Sequence, residues 1–141
     1  MPATSMIAPT SIAPMSHTNG PMASFSTTWL SPTTAIVSVY GEIDAANAPE
    51  FAAHAGEHTA RTERLVLDLS KVSFCGTAGL AALQQLEDQC AAERVAWGMT
   101  ASAAVHRLVG ICDVTLPIHP TVAAALDAVR RRSARLFELI A

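Results

Sequence analysis

Apolar positions in this chain alternate between two spacings, and the change is clearest between Leu65 and Leu86. Leu65, Val66 and Leu67 form a continuous apolar run, as a strand buried on both faces requires. The pattern breaks from Ser73 to Gly79 and resumes with Leu80, Leu83 and Leu86 at helical spacing. A buried strand that passes through small residues into a helix predicts an α/β unit. Upstream, Phe25 to Leu30 and Ala35 to Tyr40 are β-rich runs separated by Ser31-Pro32-Thr33, a turn too short for anything but an antiparallel hairpin. Asn47-Ala48-Pro49-Glu50 then reads as a helix start, with Phe51, Ala55 and His58 turned towards the core. Downstream, Arg94 to Met99 predicts another strand. Ser102 caps a short helix with Val105, Leu108, Val109 and Cys112 on its apolar side. Asp113 to Ile118 predicts a short last strand, and Val122, Ala125, Leu126 and Val129 share one face of a closing helix. The order β-β-α-β-α-β-α-β-α implies an α/β fold: a mixed, mostly parallel sheet of about five strands with about four helices.

Composition sets the boundaries. At 141 residues the chain suits one domain with spare length. Residues 1–24 are rich in Pro, Ser, Thr, Ala and Met without periodicity, and read as a disordered tail. The domain is expected over 25–135, with 136–141 as a C-terminal tail. Arg130, Arg131, Arg132 and Arg135 are expected at the solvated C-terminus of the last helix. Half the residues are apolar, yet no run approaches the length of a membrane span, so no membrane partner is expected. The first two dozen residues lack Lys and Arg and a continuous apolar stretch, so a cytoplasmic location is expected. A net charge of −3 argues against direct nucleic-acid binding.

Candidate chemistry concentrates at the strand-to-helix turn. Thr77 falls where the central helix begins, beside unpaired N–H groups and the positive end of the helix dipole. It reads either as an N-cap or as a hydroxyl that accepts a phosphoryl group. Gly76 and Gly79 admit close backbone approach or positive φ. Cys75 is the one cysteine placed where a helix start could lower a thiol pKa, which makes it a weak redox candidate. Cys90 reads as a packed core residue, and no disulfide between Cys75 and Cys112 is expected. His54 and His58 stand four apart on a helix without an evident third ligand, so no metal and no cofactor is expected. Cys75 followed by glycine is similar to a phosphatase loop, but that spacing needs Arg at position 81, which is Ala81. With no nucleophile elbow, phosphate loop or catalytic triad, an enzyme is not expected.

Three stretches together resemble the STAS family, in particular the bacterial anti-sigma-factor antagonists. They are Gly41-Glu42-Ile43-Asp44 with Ala48-Pro49-Glu50, then Leu67-Asp68-Leu69-Ser70, then Phe74-Cys75-Gly76-Thr77-Ala78-Gly79-Leu80. The resemblance covers about Phe25 to Val129 and implies a STAS-like fold. The family's turn reads Asp-Ser-Ser-Gly-Leu or Asp-Ser-Thr-Gly-Leu, with the hydroxyl after the Asp as phospho-acceptor. The resemblance thus assigns that role to Thr77 and implies a partner-binding surface of Asp44, Cys75, Gly76, Thr77, Ala78 and Gly79. This chain departs from the pattern in having Gly76 where the Asp stands and Ala78 in place of the second hydroxyl. The implied partner is an anti-sigma factor, often itself a serine/threonine kinase, which releases its sigma factor when the antagonist docks. A phosphate would add roughly −1.5 to −2 charges to the docking face and break the complex. The alternative role is a STAS module within a lipid-transport or stress-signalling complex. The oligomeric state is left open.

Overall fold

The structure is a computed structural model that describes residues 10–14 and 22–140. It contains strands β1 (Thr10–Pro14), β2 (Ala23–Ser31), β3 (Thr34–Ile43), β4 (Arg64–Cys75) and β5 (Ala96–Ala101). Its helices are α1 (Ala48–Glu57), α2 (Thr77–Glu93), α3 (Ala103–Ile111) and α4 (Val122–Ile140). The strands form one sheet in sequence order, β1-β2-β3-β4-β5. β1, β2 and β3 pair antiparallel, whereas β3-β4 and β4-β5 pair parallel, so the expected mixed α/β architecture is present. The path from β3 to β5 advances in one direction, and crossovers of a single hand therefore place α1 and α2 on the same sheet face.

That face carries the main core. β4 presents Leu65, Leu67 and Leu69 to it, and α1 contributes Phe51 and Ala55. α2 adds Leu80, Leu83, Leu86 and Cys90, while α3 adds Val105 and Val109. Strand alternation sends Val66 and Ala96 through to the other face, where Ala125 and Val129 of α4 cover them. The central strand is thus buried on both faces, as its apolar run requires.

Several sequence expectations differ from the structure. Part of the expected disordered tail, Thr10–Pro14, is a strand paired with β2 from Thr10↔Thr28 to Pro14↔Ser24; the rest of 1–21 lies outside the described residues. Asp113 to Ile118 is not a strand: a single bridge joins Ile118 to Met99, because Pro117 lacks the N–H that would extend the ladder. Cys112 is exposed rather than part of the apolar face of α3. The last helix runs to Ile140 instead of ending near 135, so the arginines sit within it. Arg131 pairs with Asp127 one turn back, and Arg132 Nη1 donates to the Trp97 carbonyl at 2.7 Å, tying α4 to β5.

Candidate functional site

Parallel strands end where their crossover helices begin, so the loops after β3, β4 and β5 meet at one end of the sheet. The loop after β3 and the turn after β4 are in direct contact. Gly76 N–H donates to the Ile43 carbonyl at 2.9 Å, and the Asp44 Cα lies 3.8 Å from the place a Gly76 Cβ would occupy. The sequence-predicted residues Asp44, Cys75, Gly76, Thr77, Ala78 and Gly79 therefore form one surface with one buried edge.

Thr77 is exposed at the first helical position of α2, and Gly76, not Thr77, is the N-cap. The Gly76 carbonyl accepts from Gly79 at 3.0 Å and from Leu80 at 3.3 Å. The Thr77 and Ala78 N–H groups precede those bonds and belong to the orphan donors of a helix start. The Thr77 hydroxyl thus stands at the positive end of α2, free of the capping duty that Thr residues usually take there. Gly76 has φ −88° and ordinary clearance, with its nearest neighbour, Phe74 Cε2, 3.7 Å from an added Cβ. Gly79 differs: a Cβ there would stand 2.8 Å from Cys75 Sγ and 3.0 Å from Ile43 Cγ2. Of the two glycines, Gly79 is the one the packing requires, and neither has positive φ.

Asn47 was the residue whose role the sequence least revealed. It is fully buried, its Oδ1 accepts from Asp44 N–H at 3.0 Å, and its Nδ2 donates to the Glu42 carbonyl at 2.8 Å. Asp44 Oδ1 in turn accepts from Ala46 N–H at 2.8 Å. This side-chain network sets the loop against the turn. The only sequence signal was an Asn just before a helix, which also suits a simple cap.

Cys75 is buried, and burial pushes its thiol up to about 11, the opposite of the lowering a helix start suggested. Its Sγ donates to the Gly76 carbonyl at 3.6 Å. Cys75, Cys90 and Cys112 are all free. His54 and His58 do come together, with rings 5.3 Å apart, but they lie towards the other end of α1 and pack on Phe25 and Trp29. Among the described residues no group of three metal-ligating side chains gathers, and no helix is long and apolar enough to cross a membrane.

Beside the turn, an open groove of about 650 Å³ runs between α1 and α2, floored by Ala48, Ala52, Ala78 and Ala81 and closed by Gln85 and Gln89. On the other sheet face Asp68 accepts from Ser70 Oγ at 2.6 Å and Thr100 Oγ1 at 2.8 Å. Those bonds hold its carboxyl below the usual range against the raising effect of burial. The Asp68 set links β4 to β5 and touches neither Thr77 nor the groove-lining residues.

The STAS domain family model matches residues 30–125. The chain is 34% identical over 115 residues to Osmosensory protein A of Mycobacterium tuberculosis, covering 74% of this chain and 73% of that one. It is 32% identical over 99 residues to the anti-sigma-F factor antagonist RsfA of the same species, covering 66% of this chain and 77% of the relative. Among solved structures, an anti-sigma factor antagonist from Mycobacterium paratuberculosis superposes with a TM-score of 0.62 at 32% identity. That superposition covers 85% of this chain and 95% of the other.

Proposed function

The chain belongs to the STAS-domain family, of the bacterial anti-sigma-factor antagonist type, and on that premise we propose that it binds an anti-sigma factor through the turn after β4 and is switched off by phosphorylation of Thr77. One observation carries the switch: the Thr77 hydroxyl is exposed at the start of α2, with no capping bond to occupy it. A phosphate on that oxygen stays stable because it meets the helix-start N–H groups. The same phosphate presents new negative charge to whatever docks beside Asp44 and Ala78, where repulsion and desolvation oppose binding. The likeness to a protein named for osmosensing supports a stress-signalling setting for the same switch.

The test uses the full chain and purified anti-sigma factors from its own genome. Thr77→Glu is expected to weaken binding at least tenfold by calorimetry, about 1.4 kcal/mol. Thr77→Ala is expected to bind like wild type and to take up no phosphate by mass spectrometry after incubation with the partner and ATP. Equal affinity of wild type and Thr77→Glu would sink the switch.

A further inference from the structure

A second feature lies beside the turn, on the sheet face opposite α1 and α2. Ala23, Ile43 and Cys75 all face the main core. The residue before each of them, Met22, Glu42 and Phe74, therefore points the other way. These three form a row across the sheet: Glu42 N–H donates to the Met22 carbonyl at 2.9 Å, and Glu42 is the register partner of Phe74. Tyr40, two residues before Glu42, lies on the same face between Ser24 and Lys71. Met22 is 52% exposed, Tyr40 45% and Phe74 49%. The large apolar side chains exposed between residues 22 and 134 are Met22, Leu30, Tyr40, Phe74 and Ile111, so three of these five gather in one strip.

Gly76 explains why the strip is bare at its end. The Phe74 ring lies over Gly76, with Cε2 3.7 Å from the absent Cβ, so no side chain at the N-cap covers or charges it. The ring reaches the edge of the turn that carries Thr77, one residue beyond Gly76. Contiguous apolar exposure rimmed by polar groups marks an interaction surface, and aromatic residues dominate binding energy at such surfaces.

We propose that Met22, Tyr40 and Phe74 are the apolar anchor of the anti-sigma-factor interface, with Phe74 as its principal residue. The inference rests on the function proposed above and deepens it. The occupant is a partner that offers an apolar socket for Phe74 and a Lys or Arg opposite Glu42. Net charge and continuity with the turn favour this partner over a second copy of the chain. The strip carries two acids, Glu42 in its middle and Asp44 at its end, against the single Lys71 beside Tyr40, so two copies face to face would meet with like net charge, whereas a basic partner complements it. A phosphate on Thr77 would add charge of the same sign at the rim of this strip. The turn and the strip thus form one interface, with the apolar part supplying affinity and the threonine its control.

Calorimetry with the same panel of purified anti-sigma factors tests this. Phe74→Ala is expected to weaken binding at least tenfold, with circular dichroism and thermal unfolding unchanged because the ring is half exposed. Glu42→Lys is expected to weaken binding and to flatten its salt dependence. Ala81→Gln, which fills the groove between α1 and α2, is expected to bind like wild type. Normal binding by Phe74→Ala, or loss of binding by Ala81→Gln alone, overturns the inference and leaves the Thr77 switch standing. A concentration-dependent dimer of wild type in sedimentation, lost on Phe74→Ala, also overturns it, because the strip then serves a second copy. Wild type that binds no member of the panel removes the proposed function and this interface together.

Discussion

Cys75 and Gly79 contend for one space: a Cβ on Gly79 would stand 2.8 Å from the Cys75 sulfur and 3.0 Å from Ile43 Cγ2. The first turn of α2 is thereby pressed onto the ends of β3 and β4, which fixes the height of Thr77 above the sheet. In Gly79→Ala, overpacking of roughly 1–3 kcal/mol opposes a helix-propensity gain of about 1 kcal/mol. A net loss of stability is expected in denaturant unfolding. The double variant Cys75→Ala with Gly79→Ala should recover part of it, since the sulfur that meets the new methyl is gone. Additive losses in that cycle would place the strain elsewhere.

Gly76→Asp introduces the acidic residue of the family's turn, and an added Cβ there meets only ordinary contacts, the nearest at 3.7 Å. As an N-cap, Asp improves on Gly by only a few tenths of a kcal/mol. Fold stability should therefore change little, while phosphate incorporation at Thr77 by a cognate kinase rises. Incorporation measured side by side with wild type checks it, and an unchanged rate would show that the kinase does not read this position.

Acidification should weaken the fold through His54. Burial lowers its pKa, the nearby His58 lowers it further, and Glu57 opposes both. The ring stacks on Phe25 at 4.5 Å, its Nε2 lies 3.2 Å from Thr27 Oγ1, and Trp29 with Arg61 above it closes the His58 side. Because the unfolded histidine binds its proton more readily, stability falls as pH drops from about 6.5 through the lower folded value. Denaturant midpoints at several pH values should show this slope in wild type and a shallower one in His54→Gln. Identical slopes would clear His54 of the effect.

The thiols should separate by accessibility. Burial pushes Cys75 up to about 11 and, joined by Glu93 and Glu87 against Arg132, pushes Cys90 up to about 12. At neutral pH iodoacetamide is expected to label Cys112 alone, with the other two reacting only after unfolding, as read by peptide mapping. Unfolded thiols ionise near 9.0, so stability should decline as pH rises from there towards the folded values. Early labelling of Cys75 would mean that the turn opens readily.

The sequence carried the fold well where burial leaves a pattern. The apolar run at Leu65 to Leu67 and the spacing of Leu80, Leu83 and Leu86 marked the central strand and helix, and all six residues are core. Patterning failed where backbone pairing decides the outcome. Thr10–Pro14 has no alternation, yet it is a strand because β2 offers it an edge. Asp113 to Ile118 looks β-rich, yet Pro117 and a single bridge leave it a loop. At the site, residue types located the turn, but whether a glycine is permissive or obligatory depends on neighbours distant in sequence. Gly41 was missed for that reason: it has φ +105°, and a Cβ there would lie 2.3 Å from the Met22 carbonyl. Phe74 was legible only as part of a motif, since its exposure follows from which face its strand neighbour Cys75 occupies.

The two faces of the sheet are unequally secured, and this bears on how the chain opens and closes. α1, α2 and α3 share one extensive core, whereas α4 rests on Val66 and Ala96 through Ala125 and Val129, helped by Arg132 at the Trp97 carbonyl. α4 is thereby held by a small cluster separate from the core that α1, α2 and α3 share, and it can open as a cooperative unit of its own. Its amides should exchange with deuterium well before those of α2, through excursions that lift one helix and leave the other face of the sheet packed. The turn at Thr77, packed through Gly79 and Cys75 against that other face, is thereby insulated from such excursions.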